Sequence, residues 1–120
     1  MLIPGTACSD YDPFEKIRKE LGSQLYDFVE RASGITHADL KKNTLEVLFA
    51  NAVEELGEYA AAKTVEKGIK KKKLKESSLV ESVDLVICSL SLFFGNGGTL
   101  EDLCKIGQEK LNKYEERVKG

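Results

Sequence analysis

Hydrophobic residues recur along most of this chain at spacings of three and four, the signature of helices that bury one face. Phe14, Ile17, Leu21, Leu25, Phe28, Val29 and Ala32 form a first stripe. Asp12 followed by Pro13 supplies a cap and a first-turn proline before it. A helix is predicted over about 13–32, ending near Ser33 and Gly34. A second begins at Thr36 or His37, carries Leu45, Leu48, Phe49, Ala52, Leu56, Tyr59 and Ala60, and ends near Gly68. Residues 68–78, rich in lysine and without apolar period, read as a solvated connection. Ser77 or Ser78 caps a third helix running to about Phe94, apolar nearly all round and so expected to be buried on most sides. Thr99, with Asp102 three residues on, caps a fourth, whose stripe is Leu100, Leu103, Cys104, Gly107, Leu111, Tyr114 and Val118. No segment alternates as a strand would. The pattern predicts an all-α, four-helix bundle-like fold: an arm over 1–11 and one domain over 12–120.

Composition sharpens this picture. A chain of 120 residues with 42% hydrophobic and 32% charged content suits one soluble helical domain. The net charge of -2 supplies no global basic field, so neither nucleic acid nor a membrane surface is an expected partner. Cys8, Cys88 and Cys104 are odd in number and irregular in spacing, which speaks against a disulfide framework. Cys88 and Cys104 read as small buried hydrophobes in a reducing, cytoplasmic setting. No secretory leader pattern opens the sequence. The apolar run from Leu79 to Phe94 is short for a membrane span and contains two acids.

Those two acids carry the chemistry. Glu81 and Asp84 are the only charges between Ser77 and Leu100. A carboxylate in an apolar helix is costly unless something compensates it. Glu55 and Glu58 repeat the same three-residue spacing on the second helix, and three residues apart is about 60° around a helix, so each pair shares a face. Two such helices side by side would surround a small volume with four carboxylates. An all-oxygen donor set without His or Cys selects a hard cation, Mg²⁺ with Mn²⁺ as a substitute, rather than Zn²⁺. The missing histidine also sets these pairs apart from di-iron bundles.

Mg²⁺ on a few carboxylates usually shares its shell with water and substrate phosphates, which points to a phosphate substrate. Lys110, Lys113 and Arg117 form a cationic row on one flank of the fourth helix that could meet a polyphosphate, and that equally reads as a solvated face. His37 reads as a helix-start or surface residue, and Tyr59 and Tyr114 as packing. The lysines over 70–75 read as a solvated loop or as a flap over an anionic substrate. Gly57 and Gly107 each cost their helix about 1 kcal/mol relative to Ala, which close helix approach or room for a ligand would explain.

Glu55-x-x-Glu58, followed after 22 residues by Glu81-x-x-Asp84 and preceded by Glu54, resembles the MazG-like, all-α nucleoside triphosphate pyrophosphohydrolases. The segment Lys110 to Arg117 is similar to the basic stretch that often closes those domains, and the resemblance covers about 40–118. It implies a Mg²⁺-dependent cut between the α- and β-phosphates, releasing a nucleoside monophosphate and pyrophosphate, in a role such as nucleotide pool sanitation. It implies that Glu55, Glu58, Glu81 and Asp84 hold metal, with Glu54 and Glu55 in the catalytic group and Glu54 either supporting a ligand or orienting the attacking water. Lys110, Lys113 and Arg117 would hold phosphates, and Asn112 would contact substrate. It implies a homodimer or homotetramer with sites near subunit interfaces. The chain has no Trp, and Cys88 stands four residues after Asp84, where a base-stacking aromatic would fit, so the base is left open. Two alternatives stand beside this reading. One is a non-catalytic helical interaction module that uses the lysine loop on an acidic partner. The other is the same fold acting on another nucleotide-derived phosphate.

Overall fold

The computed structural model describes residues 12–70 and 76–120. The predicted arm and most of the lysine run lie outside the described residues. Four helices occur, α1 (Glu15–Asp39), α2 (Leu45–Glu66), α3 (Ser78–Gly95) and α4 (Leu100–Lys119), with no strand among the described residues. The fold class is all-α, consistent with a helical bundle. The chain divides into two compact units, 1–30 and 31–120.

In the first unit, Asp12 caps as its sequence suggests: its side chain accepts the Phe14 N–H at 2.8 Å, and it pairs with Arg18. Phe14, Ile17, Leu21 and Leu25 are exposed.

In the second unit, α1 runs through Ser33 and Gly34 rather than stopping there. A single glycine weakens a helix by about 1 kcal/mol without breaking it. Thr36, expected at the start of the second helix, is instead buried in the last turns of the first. Its hydroxyl donates to the Ala32 carbonyl at 2.8 Å and is hydrogen-bonded to the Ser91 hydroxyl of α3 at 3.1 Å. The second helix begins eight residues later than expected, after Thr44, whose side chain accepts the Val47 N–H.

The helix ends follow local chemistry. Gly68, at φ 75°, closes α2: its N–H donates to Val65, and the Ile69 N–H to Thr64. Gly97, at φ 90°, closes α3 in the same way. Thr99 and Asp102 form both bonds of the predicted capping box.

α2 and α3 are the one pair of described helices packed along their length. They run antiparallel. Gly95 at the end of α3 sits so close to the start of α2 that a Cβ there would lie 2.9 Å from Leu45 Cδ1 and 3.2 Å from Leu48 Cδ1. The buried core is small: Ala32, Leu48, Ala52, Ala62 and Phe94.

Two expectations are corrected here. α3 is not enclosed: Leu79, Val80, Val83, Val86 and Ile87 are exposed, because among the described helices only α2 lies along its length. α4 packs lengthwise against none of the described helices, and Leu111, Tyr114 and Val118 of its stripe are exposed, as is Cys104. By length and composition alone α3, with mean hydropathy 1.7 over 18 residues, is apolar enough to cross a membrane.

Candidate metal centre

The seam between α2 and α3 has a regular three-four rhythm on both sides. On α2 it runs Leu45, Leu48, Ala52, Glu55, Tyr59, Ala62 and Glu66; on α3 it runs Ser78, Glu81, Leu85, Cys88, Leu92 and Gly95. These are the spacings of two helices packed as in a coiled coil. Glu55 and Glu81 therefore occupy seam positions where an apolar residue would ordinarily sit. The stripe expected from the sequence includes Phe49 and Leu56 and leaves Glu55 out. In the fold those two are exposed and Glu55 takes the seam.

Glu58 and Asp84, three residues further on, fall on one flank of the seam. Phe49, Val53 and Leu56 of α2, with Val86 of α3, fall on the opposite flank and are exposed, and Val83 is exposed on the back of α3. The acids thus share one flank, on which Val47, Val80 and Ile87 are also exposed, and the opposite flank carries no such acids.

All four predicted metal ligands come together on the acidic side. Carboxylate oxygens of Glu55, Glu81 and Asp84 lie within 4.8 Å of one another, and those of Glu54, Glu55 and Glu58 form a second such group sharing Glu55. The Glu58 carboxyl also acts on both Glu55 and Glu81, raising each. Glu54 is exposed on the outer edge.

The electrostatics of the cluster are unfavourable as it stands. Glu81 is only 6% exposed, and its Oε2 is buried without a hydrogen-bond partner, as is Oε2 of Glu55. Burial raises the Glu81 carboxyl above the ordinary glutamate range, and the adjacent Glu58 carboxyl adds to it. Burial likewise raises Glu55, helped by Glu58 and Asp84. The start of α3 offers Glu81 some relief through its helix dipole, since Glu81 lies in the first turn. No Lys or Arg among the described residues forms an ion pair with any of these acids.

Orphaned buried oxygens within a ring of carboxylates fit a hard divalent cation. Ligands on opposite sides of Mg²⁺ lie about 4.2 Å apart and of Ca²⁺ about 5 Å, so carboxylate oxygens within 4.8 Å of one another are close enough to share one such ion. Cys88 belongs to the same neighbourhood, next along the α3 seam from Leu85. Burial raises its thiol pKa, with further contributions from Glu55 and Asp84.

The cationic row is placed differently. Lys110, Lys113 and Arg117 are exposed on α4, with the Arg117 guanidinium 5.7 Å from the Tyr114 ring centre. Asn112 lines a shallow hollow along α4 with Leu111, Tyr114 and Val118. Because α4 packs along neither α2 nor α3, helix packing within the chain does not carry this row to the acids. Gly57 and Gly107 have open space where a Cβ would be, so close helix approach does not account for either. His37 is exposed in the last turn of α1.

Sequence reasoning missed one pair at the base of the seam. Glu66 accepts the Ser78 N–H through one carboxylate oxygen and the Ser78 hydroxyl through the other, both at 2.7 Å. The available signal was that Glu66 continues the seam row on α2.

No family model, curated protein or solved structure matches the chain.

Proposed function

We propose that this protein is a Mg²⁺-dependent nucleoside triphosphate pyrophosphohydrolase that cleaves (d)NTP to (d)NMP and pyrophosphate. One observation carries the reading: Glu55, Glu58, Glu81 and Asp84 converge from two helices, with buried carboxylate oxygens that no group among the described residues satisfies. Carboxylates alone, without His or Cys, suit Mg²⁺ or Mn²⁺, and those ions in such settings work on phosphates.

In this reading Glu55, Glu58, Glu81 and Asp84 hold the cation. When bound, it neutralises phosphate charge and supplies an activated water at neutral pH. Glu55, shared by both acidic groups, ties the two helices' ligands together. Glu54, exposed beside Glu55 and Glu58, accepts a proton from, or orients, the attacking water. Lys110, Lys113 and Arg117 grip phosphates, and Asn112 contacts substrate. α4 of a second subunit is the natural source of that grip, given that α4 lies along none of the described helices of its own chain.

Self-association as a homodimer or homotetramer is part of the reading. It rests on the exposed apolar flank of α2 and α3 and on the exposed stripe of α4, since contiguous apolar surface of this kind marks interaction sites. The carboxylates that α3 turns toward those of α2 favour a cytoplasmic soluble unit over a membrane span.

The test is a panel of NTPs and dNTPs incubated with Mg²⁺, the products resolved by ion-exchange chromatography. Monophosphate and pyrophosphate in equal amounts support the reading, and no hydrolysis of any nucleotide counts against it. The same apolar surfaces favour a second reading, a non-catalytic helical interaction module; it expects no Mg²⁺-dependent rise in melting temperature. The same site acting on another nucleotide-derived phosphate would appear as turnover only when the panel is widened.

A further inference from the structure

The Glu66–Ser78 pair does more than cap a helix. α3 already carries its own cap: the Ser77 side chain accepts the Val80 N–H, and the Ser77 carbonyl accepts the Glu81 N–H at 3.0 Å. The Ser78 N–H is one of the donors left over at a helix start. Glu66 satisfies it from another helix, across twelve residues of sequence, and takes the Ser78 hydroxyl as well. These bonds hold the Glu66 carboxyl below the ordinary glutamate range, as an ionised double acceptor. Ser78 is buried.

Its position relative to the acids gives the clasp its meaning. Glu66 continues the α2 row that contains Glu55, and Ser78 lies one turn before Glu81 on the α3 row. By helix rise the clasp is about 4.5 Å from Glu81 along α3 and about 12 Å from Glu58 along α2. Between them the α2 seam holds Tyr59, half-buried, and Ala62, a buried residue too small to lock the helices against sliding at its own level. The carboxylates just beyond repel one another across the seam. A slip of one residue would turn α3 by about 100° and remove Glu81 and Asp84 from Glu55 and Glu58.

We infer that Glu66 is a positioning residue: through its two bonds to Ser78 it sets the register of α3 on α2 and so assembles the carboxylate centre. The inference rests on the divalent-cation reading of that centre.

Mn²⁺ is the probe, its binding followed at 25 °C by loss of the free-ion EPR signal. Wild type, Glu66→Ala, Ser78→Ala and Ser78→Thr are compared, each also melted by circular dichroism. Glu66→Ala is expected to weaken Mn²⁺ binding about tenfold, and Ser78→Ala about threefold, as loss of groups that orient metal ligands does. Ser78→Thr keeps both donors and is expected to bind within about twofold of wild type. Ser78→Ala changes no charge, so a loss there is positional rather than Coulombic. It also decides the matter if Glu66→Ala does not fold. Wild-type affinity in the folded alanine variants, with only melting temperature lowered, overturns the inference, as does a Ser78→Thr variant as weak as Ser78→Ala. Absence of Mn²⁺ binding by wild type is a different failure, of the cation reading itself, and the inference falls with it.

Discussion

The carboxyl groups of Glu55 on α2 and Glu81 on α3 bring oxygens within 4.8 Å of each other across the seam, and Glu81 is almost wholly buried. Two acids so placed share a proton or a cation, or repel.

That relationship sets the pH dependence of the metal-free protein. Glu55 and Glu81 are raised in the folded chain above the ordinary value of 4.5 at which they titrate when unfolded. As pH rises through 4.5 the unfolded state releases its protons first, so stability falls until the folded-state values are passed and stays lower above them. Glu66 acts with the opposite sign: its carboxyl is lowered by Ser78, so its contribution is present above the ordinary value and lost as pH falls through the folded one. With chelator present, the melting temperature is expected to decline as pH rises from 4.5 toward about 7. A flat or rising melting temperature over that window would contradict the placement of Glu55 and Glu81.

Glu81→Gln is expected to stabilise the metal-free protein at neutral pH, because it removes a buried charge while keeping the shape. It is also expected to abolish any Mg²⁺-induced rise in melting temperature. Gain of stability with loss of a functional response marks a residue held in place for its chemistry. Thermal melts with and without Mg²⁺ check both halves.

Thr36→Val tests the only hydrogen bond between α1 and α3 among the described residues. It keeps the volume of a buried side chain but removes its bond to Ser91, and is expected to cost about 1 kcal/mol in chemical denaturation. Leu48→Ala, in the small core of the α2–α3 seam, is expected to cost more, about 2–5 kcal/mol.

Association is expected to depend on the apolar flank. Leu56→Asp and Val86→Asp place charge on its two helices without touching the acids, and light scattering should show a smaller species than wild type. An unchanged mass for both would move the interface elsewhere.

Much of the fold was legible because it is written in local chemistry. Ser77, Thr99 with Asp102, and Gly68 all mark helix ends where their side chains or backbone freedom predict them. The helical phase of Glu55, Glu58, Glu81 and Asp84 anticipated that they would share one side. Gly34 misled because a glycine weakens a helix without ending it, and a buried hydroxyl at Thr36 rewards continuing. The burial of α3 was misjudged because apolar composition records what a helix needs to cover, not whether one chain covers it. The seam was misphased for the reverse reason: Phe49 and Leu56 outrank Glu55 in hydrophobicity, yet the fold puts the carboxylate inward. The Glu66–Ser78 clasp joins residues on either side of a connecting loop; periodicity puts Glu66 on the seam row but does not name its partner.

The most direct test of the proposed cation centre is calorimetric titration of Mn²⁺ into wild type, Glu58→Gln and Asp84→Asn at neutral pH. Each variant removes one carboxylate from a different helix and leaves the helical circular-dichroism signal intact. Saturable binding by wild type, weakened by about tenfold or more in both variants, is the expected result. Wild-type titration showing no heat beyond dilution, or affinity unchanged in both variants, would contradict the account.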